Sequence, residues 1–451
     1  MILRSVSGLL ALALLAPVTP AVAATADCAP AAFTYTVLFG PHTPRATVER
    51  QLTTHCGTPV HYYPEIGVAV ASADADFDRR IGVDRAFSAA KARGPAAEAA
   101  APAVTEAPDR TGEQWDMRML RTAQAHTVTT GSRDVVVGVL DTGVDAKHPE
   151  LAGALDPALS AGCETGRPDT DPAAWGPKHG HGTGVAGVLA AAADGKGITG
   201  VAPGVRIASV QLMRPDGYMD PEGVVCGFMW AAKHRFTLTN GSWSSGPWAF
   251  LCSDRPGEQV AIEAITRAVR HATGRGVLHV ASAGNFAADL TDPKTDPLRP
   301  PGNTIDKNCR LLPNQLPEVV TVSAVGYGRS LSSYSDYGAG VVHVTAPGGD
   351  RAQVPPAGEG PAMPLSTTPD GGYGSFGGTS AAAPKVAGVL ALLASKYGKL
   401  PPKALKELLL RTGVQPLACP AGDARCTTDK QGRTSFYGYG LVDAAKAVRA
   451  G

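Results

Sequence analysis

Between residues 134 and 141 the chain reads DVVVGVLD, a nearly unbroken apolar run that ends on a carboxylate. Similar runs return at VRIASVQL (205–212), TLTNGSW (237–243), GVLHVAS (276–282) and EVVTVSAV (318–325). Strands that are apolar on successive positions are buried on both faces of their sheet. Between them the pattern changes to helical spacing, in GVVCGFMWAAKH (223–234), EQVAIEAITRAVRHA (258–272) and APKVAGVLALLASKYG (383–398). Such alternation predicts an α/β domain, a mostly parallel sheet with helices on each side. LVDAAKAVRA (441–450) reads as its closing helix.

The first part of the chain has a different pattern. FTYTVLF (33–39) alternates like a strand, TPRATVERQLTTHCG (43–57) suits a helix, and EIGVAVASA (65–73) is a second strand. These predict a small α+β domain over 27–92. ARGPAAEAAAPAVTEAPDRTGE (92–113) follows, with little to bury, and reads as an exposed linker over 93–112. The α/β domain then fills 113–451. Ahead of everything, Arg4 and the apolar GLLALALLAPV (8–18) form an export leader too short to span a bilayer. Its cleavage is placed after Ala26, with Ala23 and Ala24 as alternatives, so the product is expected to be secreted and extracellular, without a membrane anchor.

Composition adds two constraints. Lys+Arg 41 against Asp+Glu 40 gives a net charge of +1, so no general field attracts nucleic acid or an anionic membrane. The eight cysteines suit an oxidising compartment, and none has zinc-knuckle spacing. Cys28 and Cys56 fall before the linker and the other six after it, so each piece can pair its own. Cys419 and Cys426 enclose the short loop PAGDAR and are expected to bridge. The remaining four late cysteines allow three pairings that spacing does not rank.

In open parallel sheets the working residues gather at the carboxyl ends of strands. Asp141 ends DVVVGVLD, Asn285 ends VLHVASAGN, His181 opens a helix behind glycine, and Ser380 sits in GGTSAAAP ahead of another helix. Singly, each has a plain structural reading: a turn carboxylate, a left-handed turn, or a helix cap. Together they form a complete set for acyl transfer. A serine hydroxyl needs an imidazole to take its proton, and the imidazole needs a carboxylate to orient it. The oxyanion needs donors, which an asparagine amide and a backbone N–H at a helix start supply. No cofactor is required.

Four motifs carry a resemblance to a known family. DTGVD (141–145), HGTGVAG (181–187), ASAGN (281–285) and GTSAAAP (378–384), in that order, resemble the blocks of secreted subtilisin-like serine peptidases, the subtilase family. The resemblance extends to YGYGLVDAAKAV (437–448). It implies a subtilisin-like three-layer fold and makes Asp141 the triad carboxylate, His181 rather than His179 the base, Asn285 the oxyanion donor and Ser380 the nucleophile. Gly184 replaces a second family histidine, and Ala381 replaces the usual methionine. Glu150 falls where many members place a calcium-binding Asp, so a structural calcium is an expectation of the resemblance.

The same resemblance makes the 27–92 domain a propeptide that assists folding and occupies the groove until the linker is cut. It implies a monomer acting on protein or peptide substrates, probed as an extended strand between GYM (217–219) and SWS (242–244). Trp243 either narrows that groove or packs inward. The long excursion 286–310 belongs beside the pocket for the side chain before the cut, and a Cys252–Cys309 bridge would tie it to the groove. An apolar or aromatic preference is expected there, unless Asp289, Asp292 or Asp296 lines the pocket and selects a basic residue. The rival readings are an esterase with the same triad, a narrow processing peptidase, and a silent peptide-binding protein. A lipase is disfavoured because GTSAAAP lacks the GxSxG elbow.

Overall fold

A computed structural model describes residues 28–93, 108–398 and 400–449. The expected export leader and residues 94–107 of the expected linker lie outside them. Among the described residues the main sheet has nine strands. Across the sheet they run Val414–Gln415, Leu441–Val442, Val344–Pro347, Val319–Val325, Leu278–Ser282, Leu238–Gly241, Val136–Asp141, Arg206–Gln211 and Ala161–Gly162. Every neighbouring pair is parallel except the Val414–Gln415 edge. After Val136–Asp141 the chain first builds one side of the sheet and then crosses to the other. The carboxyl end of that strand is therefore a topological switch point, where an open sheet leaves a crevice.

The strand pattern explains the layers. In Val136–Asp141, Val137 and Val139 face one side, while Val136 and Leu140 face the other. The first side packs on the helices His181–Ala190, Thr379–Tyr397, Pro402–Thr412 and Ala444–Arg449. The second packs on Pro221–His234 and Pro256–Gly274. This is the three-layer α/β fold expected from the sequence. Cys163–Cys226, Cys252–Cys309 and Cys419–Cys426 are bridged in this domain.

Some elements differ from expectation. LVDAAKAVRA is not one helix: Leu441–Val442 joins the sheet and the helix is Ala444–Arg449. Asp443 causes the break, since its Oδ1 accepts the Lys446 N–H at 2.8 Å and caps the helix behind it. The segment that precedes the Thr379–Tyr397 helix contains the hairpin Leu365–Thr368 with Gly372–Ser375. Its turn places Asp370 and Gly371 at φ +64° and +78°, which Asp-Gly permits.

The small domain is a four-stranded antiparallel sheet in the order Thr58–Tyr63, Val68–Ala73, Phe33–Leu38, Ala86–Phe87. One core of its own contains Tyr35, Val37, Leu52 and Phe77, and Cys28 is bridged to Cys56. Tyr63, Ile66, Val68, Phe87 and Ala89 instead join the core that holds the 221–234 and 256–274 helices of the main domain. Arg267 reaches across to the carbonyls of Phe39 and Ile66. Arg93, placed in the linker by the sequence reading, is the last residue of the helix Ala89–Arg93, and its side chain is only 2% exposed. At the other end, the Arg110 N–H bonds Gly197 O at 2.7 Å.

Candidate active site

Asp141 lies at the switch point, fully buried. Its Oδ1 accepts from the Thr142 N–H at 2.8 Å and from His181 Nδ1 at 2.7 Å. That second bond fixes the imidazole tautomer and leaves Nε2 as the available base. Two opposing effects act on His181: burial disfavours the imidazolium, while the Asp141 charge and hydrogen bond favour it. The balance is a pKa raised above the ordinary histidine value.

The sequence around His181 is shaped by this approach. Gly182 sits so close to the strand end that a Cβ there would meet Gly143 O at 2.4 Å. Its N–H bonds Thr142 Oγ1, which in turn donates to the His179 carbonyl. His179 itself accepts the His181 N–H on Nδ1 at 3.2 Å, so it supports the helix start. At Gly184 the space is filled by Phe376, whose ring stands 5.3 Å from the His181 ring.

Ser380 is the second residue of the helix Thr379–Tyr397, which follows Gly378 at φ +92°. Pro384 lies in the second turn of that helix, not the first, and has no N–H to offer the Ser380 carbonyl. Ser242 Oγ donates to that carbonyl instead, at 3.1 Å. The Ser380 hydroxyl donates to the Ser242 carbonyl at 3.2 Å rather than to His181. Ser380 and Ser242 are thus locked together on both sides.

Asn285 is held by its oxygen. Oδ1 accepts from both the N–H and the hydroxyl of Thr379, each at 2.9 Å, which leaves the Nδ2 donors free at the same helix start. Asp336 holds the loop that carries Asn285: its Oδ1 accepts from the Phe286 and Ala288 N–H groups. Burial pushes the Asp336 carboxyl up to about 7. In the sequence Thr379 offers itself only as a helix cap beside Ser380, and Asp336 not at all. Thr379 was visible as the middle of GTS, but Asp336, in SSYSDYG, carries no local signal.

The two segments expected to flank the groove are neighbours. Gly246 N–H bonds Met219 O at 2.8 Å, so 242–246 runs beside 217–219. Trp243 is half-buried and its indole N–H donates to Leu140 O, which favours the inward-packing role. Cys309 faces Cys252 in a short antiparallel pair as well as a disulfide. The three aspartates of the excursion that could select a basic residue, Asp289, Asp292 and Asp296, are occupied. Asp289 takes the Thr291 N–H and hydroxyl, Asp292 pairs with Lys294, and buried Asp296 takes the Ala249 and Phe250 N–H groups beside Arg299.

Glu150 does not fit a calcium site. It is 3% exposed, accepts the Tyr373 hydroxyl at 2.7 Å, and burial raises its pKa. A hard cation takes six or more oxygens, and among the described residues no group of three or more His, Cys, Asp or Glu is placed to hold a metal. A cavity of about 650 Å³ lined by His343, Lys406, Arg433 and Tyr439 includes none of the candidate residues.

A buried carboxylate on an imidazole at an α/β switch point, together with a serine and an anchored asparagine at a helix start, is the set of groups that a serine hydrolase uses. Comparison with known proteins narrows the class. The Subtilase family model matches residues 132–440. Fervidolysin of Fervidobacterium pennivorans is 32% identical over 317 residues, covering 66% of this chain but 40% of that longer protein. Subtilisin BL of Lederbergia lenta is 28% identical over 335 residues, covering 74% of this chain and 98% of the relative. The crystal structure of an epidermin leader peptide processing serine protease from Staphylococcus aureus superposes with a TM-score of 0.71 at 22% identity, over 92% of this chain and 98% of that one. The chain belongs to the subtilase family and is a serine-type endopeptidase of the subtilisin-like kind.

Proposed function

We propose that Ser380 is the nucleophile, His181 the general base, Asp141 its orienting carboxylate and Asn285 an oxyanion donor, in an exported endopeptidase made as a precursor. Ser380 Oγ turns from the Ser242 carbonyl toward His181 and attacks the peptide carbonyl carbon as Nε2 takes its proton. Negative charge moves to the carbonyl oxygen, where Asn285 Nδ2 and the Ser380 N–H, unpaired in the helix's first turn, receive it. The C–N bond then breaks, and His181 returns the proton to the leaving amine. Water cleaves the acyl-enzyme by the same steps in reverse order of partners. All the reacting groups belong to the protein.

The observation that carries this reading is the 2.7 Å Asp141–His181 bond at the switch point. We infer in addition that residues 1–26 are an export leader, that 27–92 act as a propeptide and that processing falls within 94–113. Among the described residues no helix is long and apolar enough to cross a membrane. The substrate is an unfolded or flexible polypeptide, gripped as an added strand, with an apolar residue before the cut. Retained monomeric state and independence from nucleic acid belong to the same reading.

The test is to express the full chain and its Ser380→Ala variant, sequence the mature N-termini, and assay denatured and native forms of one protein substrate. Wild type is expected to process itself and to degrade the denatured form faster. The variant is expected to remain a precursor and lose about a millionfold in turnover. Wild-type-like turnover of Ser380→Ala would overturn the assignment.

A further inference from the structure

Beside the segment 217–219 an arginine of the small domain is held by two carboxylates. The Arg93 guanidinium bonds Asp220 through Nη1 and Asp216 through Nη2, each at 2.5 Å. It lies over the Tyr218 ring at 4.2 Å. Asp220 is fully buried, and its Oδ2 has no hydrogen-bond partner, only Arg214 Nε at 3.3 Å. Arg214 Nε is also 3.9 Å from Asp216. Two carboxylates therefore face one resident guanidinium, and the second positive charge is supplied from outside the main domain. Burial, and then Asp220, raise the pKa of Glu222 two residues on, and burial raises that of Asp220 as well.

The contacts connect this pocket to Ser380. Ser242 exchanges two hydrogen bonds with Ser380. Four residues along the same segment, a Cβ on Gly246 would stand 3.1 Å from Asp220 Oδ1 and 3.5 Å from the Tyr218 ring. Four residues of extended chain span at most about 13 Å. A substrate strand lying beside this segment would cover that distance with three or four residues. Arg93 closes the small domain and precedes the expected processing region, so its place in the groove lies on the N-terminal side of a cut.

We propose that Asp216, Tyr218 and Asp220 form a recognition subsite for an arginine side chain at the third or fourth residue before the scissile bond, which Arg93 fills in the precursor. The proposal rests on the peptidase reading and gives it a substrate class. When the small domain leaves, the two carboxylates lose a cation in a partly desolvated site, and a substrate arginine restores it. Arginine fits better than lysine because its planar fork reaches both carboxylates while its face stacks on Tyr218. The subsite leaves the apolar preference immediately before the cut untouched.

The experiment uses enzyme matured from the full-length precursor and matched peptides with Arg, Lys, Ala or Glu at each of the four positions before the cut. Arg at the third or fourth position is expected to raise kcat/KM about thirtyfold or more over Ala, with Lys between and Glu lowest. In Asp216→Asn enzyme, whose altered residue is on a partly exposed turn, the Arg-to-Ala ratio is expected to fall several-fold. Cleavage of all peptides at equal rates, or an arginine requirement confined to the residue next to the cut, would overturn the subsite while the peptidase reading stands. If no peptide is cleaved, the peptidase reading falls. Calorimetry of the Arg and Ala peptides on that same enzyme then judges the pocket alone: tighter binding of the Arg peptide supports it, and equal affinity overturns it.

Discussion

Two contacts between carboxylates and basic side chains lie at the rim of the same sheet, and they differ in which domain supplies the basic group. At the first, Asp141 holds His181, and both belong to the main domain. At the second, Asp216 and Asp220 hold Arg93, which comes from the small domain. An imidazole can gain and lose a proton near neutral pH, whereas a guanidinium stays charged. The first contact is therefore suited to moving protons during a reaction, and the second to holding or recognising a chain. Burial supports the distinction. The His181 side chain is 26% exposed and can be reached by substrate, while that of Arg93 is 2% exposed and is sealed in until its domain moves.

Removing the first contact should have the largest effect. Asp141→Asn is expected to lower turnover about ten-thousandfold, as loss of the orienting carboxylate does in such triads. It should also move the acid limb of the residual activity. The raised His181 pKa means that the base is lost as pH falls through a value above the ordinary one. Without the Asp141 charge, burial remains and works the other way, so the limb should shift to lower pH. A pH–rate profile with an unmoved limb would show that another group sets it.

Asn285→Ala should come next, with turnover lowered about a hundred- to a thousandfold and a smaller change in ground-state binding. Steady-state kinetics on a peptide amide separate the two. A change confined to KM would move Asn285 from the chemistry to the binding side of the comparison. The mildest expected effect is at the second contact. In a Ser380→Ala precursor, Arg93→Ala leaves Asp216 and Asp220 with Arg214 alone and should reduce unfolding stability by about 3 kcal/mol, as breaking a buried pair does. Urea titration measures it, and a change near zero would show that the pair contributes nothing to holding the small domain.

The four candidate residues were legible because each sits in a short motif with a local reason to be there. Gly182 must be small beside Asp141, Gly378 must take φ +92° before the helix, and Thr379 must offer two donors to Asn285. The supporting groups were less legible. Asp336 is 51 positions from Asn285 in the chain and meets its loop only after the sheet has formed. Glu150 shows the reverse case: the family resemblance suggested an ion there, but folding buries it against Tyr373.

By itself the sequence determined the period of each long element, and hence the α/β class, the apolar strands buried on both faces and the split of the cysteines across the linker. Those features depend on neighbours within a few residues or on composition. Tertiary structure alone decided which side chains share a site. The Arg93 pocket joins residues more than 120 positions apart, and nothing in ARGPAAE or RPDGYMD marks one as the partner of the other. Charge complementarity acts through space, so it becomes readable only when the two domains have packed and water has been excluded between them.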